Sequence, residues 1–244
     1  MDDNRIERLQ FTKYFMNTRN QHFNTMYDYV HIYEKWFYIT KANTKFYLIP
    51  SETPSHQTFR SKRYILKIMF ICDVTQPRWD SHKNRPFDGN IGIWTFIFKE
   101  PAKRISKNRP VGTMETECIA STNQVDMKNM FIHKVIPEIK QKWPIGSMRC
   151  ITQQENAKPH TTPVDNSTVQ YMEHYVIHME LSNHPPNSLD FNVLYLVFQP
   201  HLGPATWEVT KKIDELVAAT EGAFSNMNIA KLDNPPPLSY HLEI

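Results

Sequence analysis

The chain of 244 residues is poor in glycine, with six, and in cysteine, with three. None of the glycines forms a GxGxxG or P-loop run, which disfavours a nucleotide fold that cradles phosphates on a glycine-rich turn. Cys72, Cys118 and Cys150 are widely spaced and contain no CxxC pair. That argues against a disulfide framework and a cysteine zinc site, and fits small buried thiols in a reducing compartment. No long hydrophobic run exists: the longest apolar stretch, Ile65–Val74, is broken by Lys67 and Asp73. A membrane helix needs roughly 20 apolar residues, so none is expected. The charged start, MDDNRIERLQ, has no signal-peptide pattern. No GxSxG elbow is present. Excess charge is also missing: 28 Lys and Arg against 25 Asp and Glu leave +3, too little to mark a nucleic-acid binder on its own.

What is present suffices for a core, since 40% of residues are hydrophobic and 22% charged. Tyr29–Ile39, rich in aromatic and β-branched residues, predicts a strand, with Thr44–Ile49 as its hairpin partner. Tyr64–Val74 predicts a central strand, and Ile91–Phe98 another. Gln76–Gly89 and Glu100–Gly112 are polar and predict loops. Helical spacing appears over residues 3–16, over Thr122–Trp143 with Pro137 as a kink or break, and over Val164–Met172. Met148–Gln153 and Tyr175–Leu181 predict strands, Asp190–Phe198 the start of a helix, and Val209–Phe224 a helix. Strands followed by alternating strands and helices predict one α/β domain with a mixed sheet.

Single motifs say little. His174 and His178 lie on a predicted strand, where four residues span roughly 13 Å, too far for joint metal chelation. Asn166-Ser167-Thr168 is a glycosylation sequon without other secretory features. Lys103, Arg104, Lys107 and Arg109 form a basic cluster in a predicted loop. It reads as a solvated loop, a phosphate contact or a nuclear import signal. Cys150 reads as a structural thiol on a buried strand.

Six segments in order carry more: VHIYEKWF (30–37), FDGNIGIW (87–94), SKNRPVGT (106–113), VIPEIKQKWP (135–144), QQENAKPH (153–160) and PPNSLDFNVLYL (185–196). They resemble VHIDEKWF, FDGKIGIW, SKNRPAGT, VIPAIKEKWP, QQDNAKPH and PPNSPDLNVLDL of mariner-like transposases, most closely the plant and oomycete subgroup. The resemblance covers about residues 25–200. It implies an α/β RNase H-like fold with a mixed central sheet flanked by helices. Residues 1–28 are then an N-terminal helical remnant or linker, 29–225 the catalytic domain in degenerate form, and 226–244 a tail.

In that family three carboxylates, from a first strand, a later strand and a following helix, hold two divalent metals about 4 Å apart for attack on DNA phosphate. Mg²⁺ or Mn²⁺ needs hard anionic oxygens. The matching positions here are Tyr33, Glu155 and Tyr195, the last two separated by 39 residues. Only Glu155 is acidic, and a phenol titrating near pH 10 cannot replace an anionic ligand. The expectation is a transposase-derived domain that has lost cleavage, holds no metal and retains nucleic-acid binding.

Candidate DNA contacts are Lys103, Arg104, Lys107, Arg109 and His160. Two alternatives stand beside this reading. One is a residual metal-dependent nuclease or strand-transferase that uses Glu155 with Asp190. The other is a dimerisation module around Lys99–Gly112, where relatives make partner contacts. Asp73, at the end of a different strand, is new against the family pattern. The family's helix-turn-helix modules lie upstream of the first catalytic strand, and the short lead here predicts no specific reading of transposon ends. The implied partners are DNA, bound without sequence preference, and a second copy of the chain, with neither membrane nor small-molecule substrate. The implied location is the nucleus.

Overall fold

A computed structural model describes residues 3–16, 25–39, 66–107, 109–144, 149–157, 159–160, 165–173, 178–186, 188, 192, 194 and 212–227. Five strands form the central sheet: β1 (Tyr29–Tyr38), β2 (Lys67–Thr75), β5 (Asn90–Thr95), β8 (Arg149–Gln154) and β9 (His178–Asn183). Their order is β5-β2-β1-β8-β9, antiparallel from β5 to β1 and parallel from β1 to β9. This is the expected mixed sheet. In β2 every residue after Lys67 is buried, as a strand covered on both faces must be.

The two faces carry separate apolar clusters. On one, Tyr33, Phe37, Phe70, Cys72 and Val74 pack with Leu194 and with Ile213, Leu216 and Phe224 of α5 (Ile213–Ser225). On the other, Val30, Ile32, Met69, Ile71 and Cys150 pack under a long helical unit and under Met172 of α4 (Asn166–Glu173). Each fully buried large side chain contributes roughly 2 kcal/mol, so both layers are needed to hold β1 and β2 between them. A further helix, α1 (Asp3–Phe15), buries only Phe15.

The unit predicted as a kinked helix is continuous. It comprises α2 (Gln124–Met130), a π turn (Phe131–Val135) and α3 (Ile136–Lys142). Asn123 caps its start, accepting from the N–H groups of Val125 and Asp126, while the Asp126 carboxylate accepts from the Asn123 N–H. Pro137 sits in the first turn of α3, directly after the π turn, where the regular hydrogen-bond ladder is already interrupted.

Two expectations change. The predicted loop 76–89 contains a small hairpin, β3 (Arg78–Asp80) and β4 (Arg85–Phe87). Asp80 closes its turn by accepting from the N–H groups of His82 and Lys83. The predicted strand 91–98 is two strands in different sheets. It breaks at Phe96, and β6 (Ile97–Pro101) pairs with β7 (Met114–Cys118) in a separate ribbon. Strand β1 is paired along its length by β2. The proposed hairpin partner, Thr44–Ile49, lies outside the described residues, as does the predicted helix 190–198 except at residues 192 and 194. Of the strand predicted over 175–181, residues 178–181 are described and lie in β9, and the exposed His178 ring pairs with Glu180.

Candidate functional site

The first family position is on β1, the second just past β8. The parallel ladder pairs Val30 with Thr152 and His31 with Gln153. The ladder ends there, two residues short of positions 33 and 155. Tyr195 and Asp190 lie outside the described residues. Their neighbours Asn192 and Leu194 are described and fully buried. The Asn192 side chain donates to the Ile32 carbonyl at 2.9 Å and accepts from the Leu194 N–H at 3.0 Å. Thus one amide fastens the segment that carries the third position to the strand that carries the first.

Tyr33 is 6% exposed and sits in the apolar cluster under α5, across the ladder from Cys72. Beside it His31 is fully enclosed, and burial, only partly opposed by Gln153, lowers its pKa to about 4. It is therefore a neutral imidazole at pH 7.

Glu34 belongs to the opposite face, because successive strand residues alternate. Asp73 pairs with Ile32 in the ladder and shares that face. The sequence suggested that Asp73 ends its strand; instead β2 runs on to Thr75 and Asp73 is completely buried. Burial first, then the Glu34 charge, pushes its carboxyl well above the ordinary carboxylate range. Among the described residues neither of its oxygens has a hydrogen-bond partner. Asp73 is thus kept away from the Tyr33 face of the sheet.

His160 joins the two strands. Its Nε2 lies 3.1 Å from Glu34 Oε2, and its Nδ1 makes a short contact with the Glu155 carbonyl. Burial alone depresses this imidazole. The hydrogen bond and charge of Glu34 outweigh it and leave the pKa above the usual value. Burial, then Glu34, raise Glu155 in turn, against weaker opposition from His160 and Lys35. His160 is an interior link between β1 and the turn after β8, away from the basic cluster with which it was grouped. Glu34, His160 and Asn192 all fall inside segments that resemble the family, yet attention to the three carboxylates alone passes over them.

The basic residues are on the ribbon. Lys103, Arg104 and Lys107 are exposed on the connection between β6 and β7, while Arg109 is half-buried against Glu115. The described contacts join Glu155 to His160 and bring it near Glu34 and Lys35, while Lys103, Arg104 and Lys107 belong to the β6–β7 connection.

No family model matches the chain and no curated protein matches it. Solved structures do. The Mos1 transposase paired-end complex with the left transposon end superposes with a TM-score of 0.59 at 16% identity, over 97% of this chain and 60% of that one. The mariner Mos1 paired-end complex with Mg gives 0.61 at 14% identity, over 97% of this chain and 60% of that one. The complex with Mn gives 0.54 at 19%, over 95% of this chain and 60% of that one. The fold is that of the Mos1 catalytic region, RNase H-like.

The present chain spans about 60% of the length of these Mos1 chains. Mos1 structures contain Mg or Mn, and the residues described here do not fit such an ion. Among the described residues no group of three His, Cys, Asp or Glu side chains could hold a metal. On β1 the phenol ring of Tyr33, in the apolar cluster with Phe37, Cys72 and Leu194, offers no anionic oxygen to a hard cation. Nor is any described helix long and apolar enough to cross a membrane.

Proposed function

We propose that this chain is a transposase-derived RNase H-like domain that binds DNA and has lost strand cleavage. The observation that carries the reading is the burial of Tyr33 in the apolar layer beneath α5, at the position where the family places its first carboxylate. Phosphoryl transfer through two metals depends on anionic oxygens held to within fractions of an angstrom. An aromatic side chain packed into the core supplies none, and Glu155 alone binds too little charge to hold two cations.

Binding requires no such geometry. Phosphate contacts depend on exposed cations, and Lys103, Arg104 and Lys107 meet that requirement. His160 and Arg109 have internal partners and serve to position Glu155 and the ribbon, respectively. On this reading binding selects no transposon-end sequence, and the domain works where DNA is, in the nucleus.

Two assays on the full chain test the proposal. Supercoiled plasmid incubated with Mg²⁺ or Mn²⁺ should remain intact. Gel shifts with duplex DNA should show binding that needs no divalent ion and weakens steeply between low and moderate salt. Metal-dependent nicking that is abolished by Glu155→Ala would overturn the loss of cleavage. Absence of any shift at low salt would overturn the binding.

A further inference from the structure

The ribbon that interrupts the domain has a stiff base and an unusual tip. At its base, the Phe96 N–H donates to the Met69 carbonyl, the Ile119 N–H donates to the Phe96 carbonyl, and Thr116 bonds to Asp214 of α5. From Lys99 to Met114 Ala102 is the one buried residue among those described. The tip is nevertheless fixed. The Ala102 N–H donates to the Thr113 carbonyl at 2.8 Å, and the Gly112 N–H donates to the Ala102 carbonyl at 3.0 Å. Ser106 and Arg109 bond reciprocally through their backbones, and Arg109 is held by Glu115. Gly112 takes φ +85°, a left-handed conformation that closes this end of the ribbon.

Two apolar side chains flank the Ser106–Arg109 turn in full solvent: Ile105, 76% exposed, and Val111, 60% exposed. Around them are Lys99, Lys103, Arg104 and Lys107. Of these, Lys103 alone has an acidic partner among the described residues, Glu100 at 3.5 Å, in an exposed pair of little energetic weight. Leaving two large aliphatic groups on a preordered, cationic tip is unfavourable for the isolated domain and suits a partner that is polyanionic and offers apolar contacts.

We infer that the β6–β7 ribbon is a DNA arm that enters the major groove of a duplex, with Lys103, Arg104 and Lys107 on phosphates and Ile105 and Val111 against thymine methyl groups. The dimensions agree, since a two-stranded ribbon has strands about 4.8 Å apart and the major groove is about 12 Å wide. Thymine methyls are the apolar feature of that groove. The inference rests on the proposed DNA binding and adds where and how the contact is made.

Anisotropy titrations of the full chain with a labelled A·T-rich duplex of about 25 base pairs test it. The triple variant K103Q/R104Q/K107Q should flatten the plot of log affinity against log salt by about three, at roughly 0.9 for each phosphate that is no longer neutralised. The variant I105S/V111S should keep the slope and bind roughly tenfold more weakly. Replacing thymine by uracil in the probe should weaken the wild type and leave I105S/V111S unaffected. All substitutions are in solvent, and a thermal melt checks that the domain stays folded.

If the wild type binds and the variants bind equally well, the arm is overturned while DNA binding stands. If the wild type distinguishes no methyl, the groove contact is overturned. If the wild type binds no duplex at all, both readings fall. If I105S/V111S instead converts a dimer to a monomer in sedimentation and DNA affinity is unchanged, the tip is a self-association surface and the inference is wrong.

Discussion

Tyr33 faces Cys72 across the β1–β2 ladder, in an apolar layer closed from above by Leu216 and Phe224 of α5. Its chain neighbour Glu34 faces the other way, toward His160 and the buried Asp73. The acidic residues nearest to Tyr33 in the sequence and in the adjacent strand are therefore separated from it by the thickness of the sheet. This placement generates the first prediction. Tyr33→Asp should not recreate a metal site; it should bury an unpaired carboxylate in the apolar layer. The expected loss is about 3 kcal/mol or more in urea unfolding, against under about 1 kcal/mol for Tyr33→Phe. Equal stability of Tyr33→Asp and wild type at pH 8 would contradict the packing described.

Asn192 ties its own segment to β1 through Ile32. Replacing it with Leu leaves the Ile32 carbonyl and the Leu194 N–H without that partner in a buried place. The expected cost is about 2–3 kcal/mol. Hydrogen exchange checks it locally, because the Leu194 amide should lose protection before the amides in the centre of β2 do.

His31 gives the acid limb of stability. Its folded pKa, about 4, is below the unfolded value of 6.5. A depressed histidine contributes stability in full above pH 6.5, and that contribution is lost as pH falls toward 4. His31→Gln should flatten the decline in unfolding free energy between pH 6.5 and 4. An unchanged pH profile would show that His31 titrates normally.

Asp73 acts in the opposite range. Its folded pKa is raised, so the folded state favours the protonated acid. The advantage is present below the unfolded carboxyl pKa and disappears as pH rises through the folded value. Asp73→Asn, which cannot ionise, should be more stable than wild type in alkaline solution. The difference should vanish at low pH, where both side chains are neutral. Denaturant midpoints measured across that range check the sign.

Gly89 stands at φ +80°, and a Cβ there would collide with the Thr75 carbonyl, which lies in the strand that the Gly89 carbonyl bonds. Gly89→Ala should cost about 2 kcal/mol or more, since both conformation and space are violated. A thermal melt reads it directly.

Local chemistry was legible where it acts within one segment. Aromatic and β-branched density placed β1 and β2, helical spacing placed the two long helical units, and the ordered segments 30–37 through 185–196 pointed to an RNase H-like sheet that the superposition on Mos1 bears out. Those same residues determined by type alone that a phenol stands at positions 33 and 195 and a carboxylate at 155.

What they could not determine is which neighbour each side chain meets. Alternation along β1 says that Tyr33 and Glu34 part company, but not that α5 covers one and His160 meets the other. The run Ile91–Phe98 looked like one strand because its apolar and aromatic residues continue through it; that it divides at Phe96, and that Ile97–Pro101 pairs with Met114–Cys118, is set by the backbone, which residue type scarcely reports. Asp73 fell within the predicted strand 64–74, near its end, and only the fold shows that it is enclosed there beside Glu34. Residue identity fixes the chemistry a side chain carries, whereas burial and partners come from chain segments far apart in sequence, and for these residues burial and partners decide what that chemistry can do.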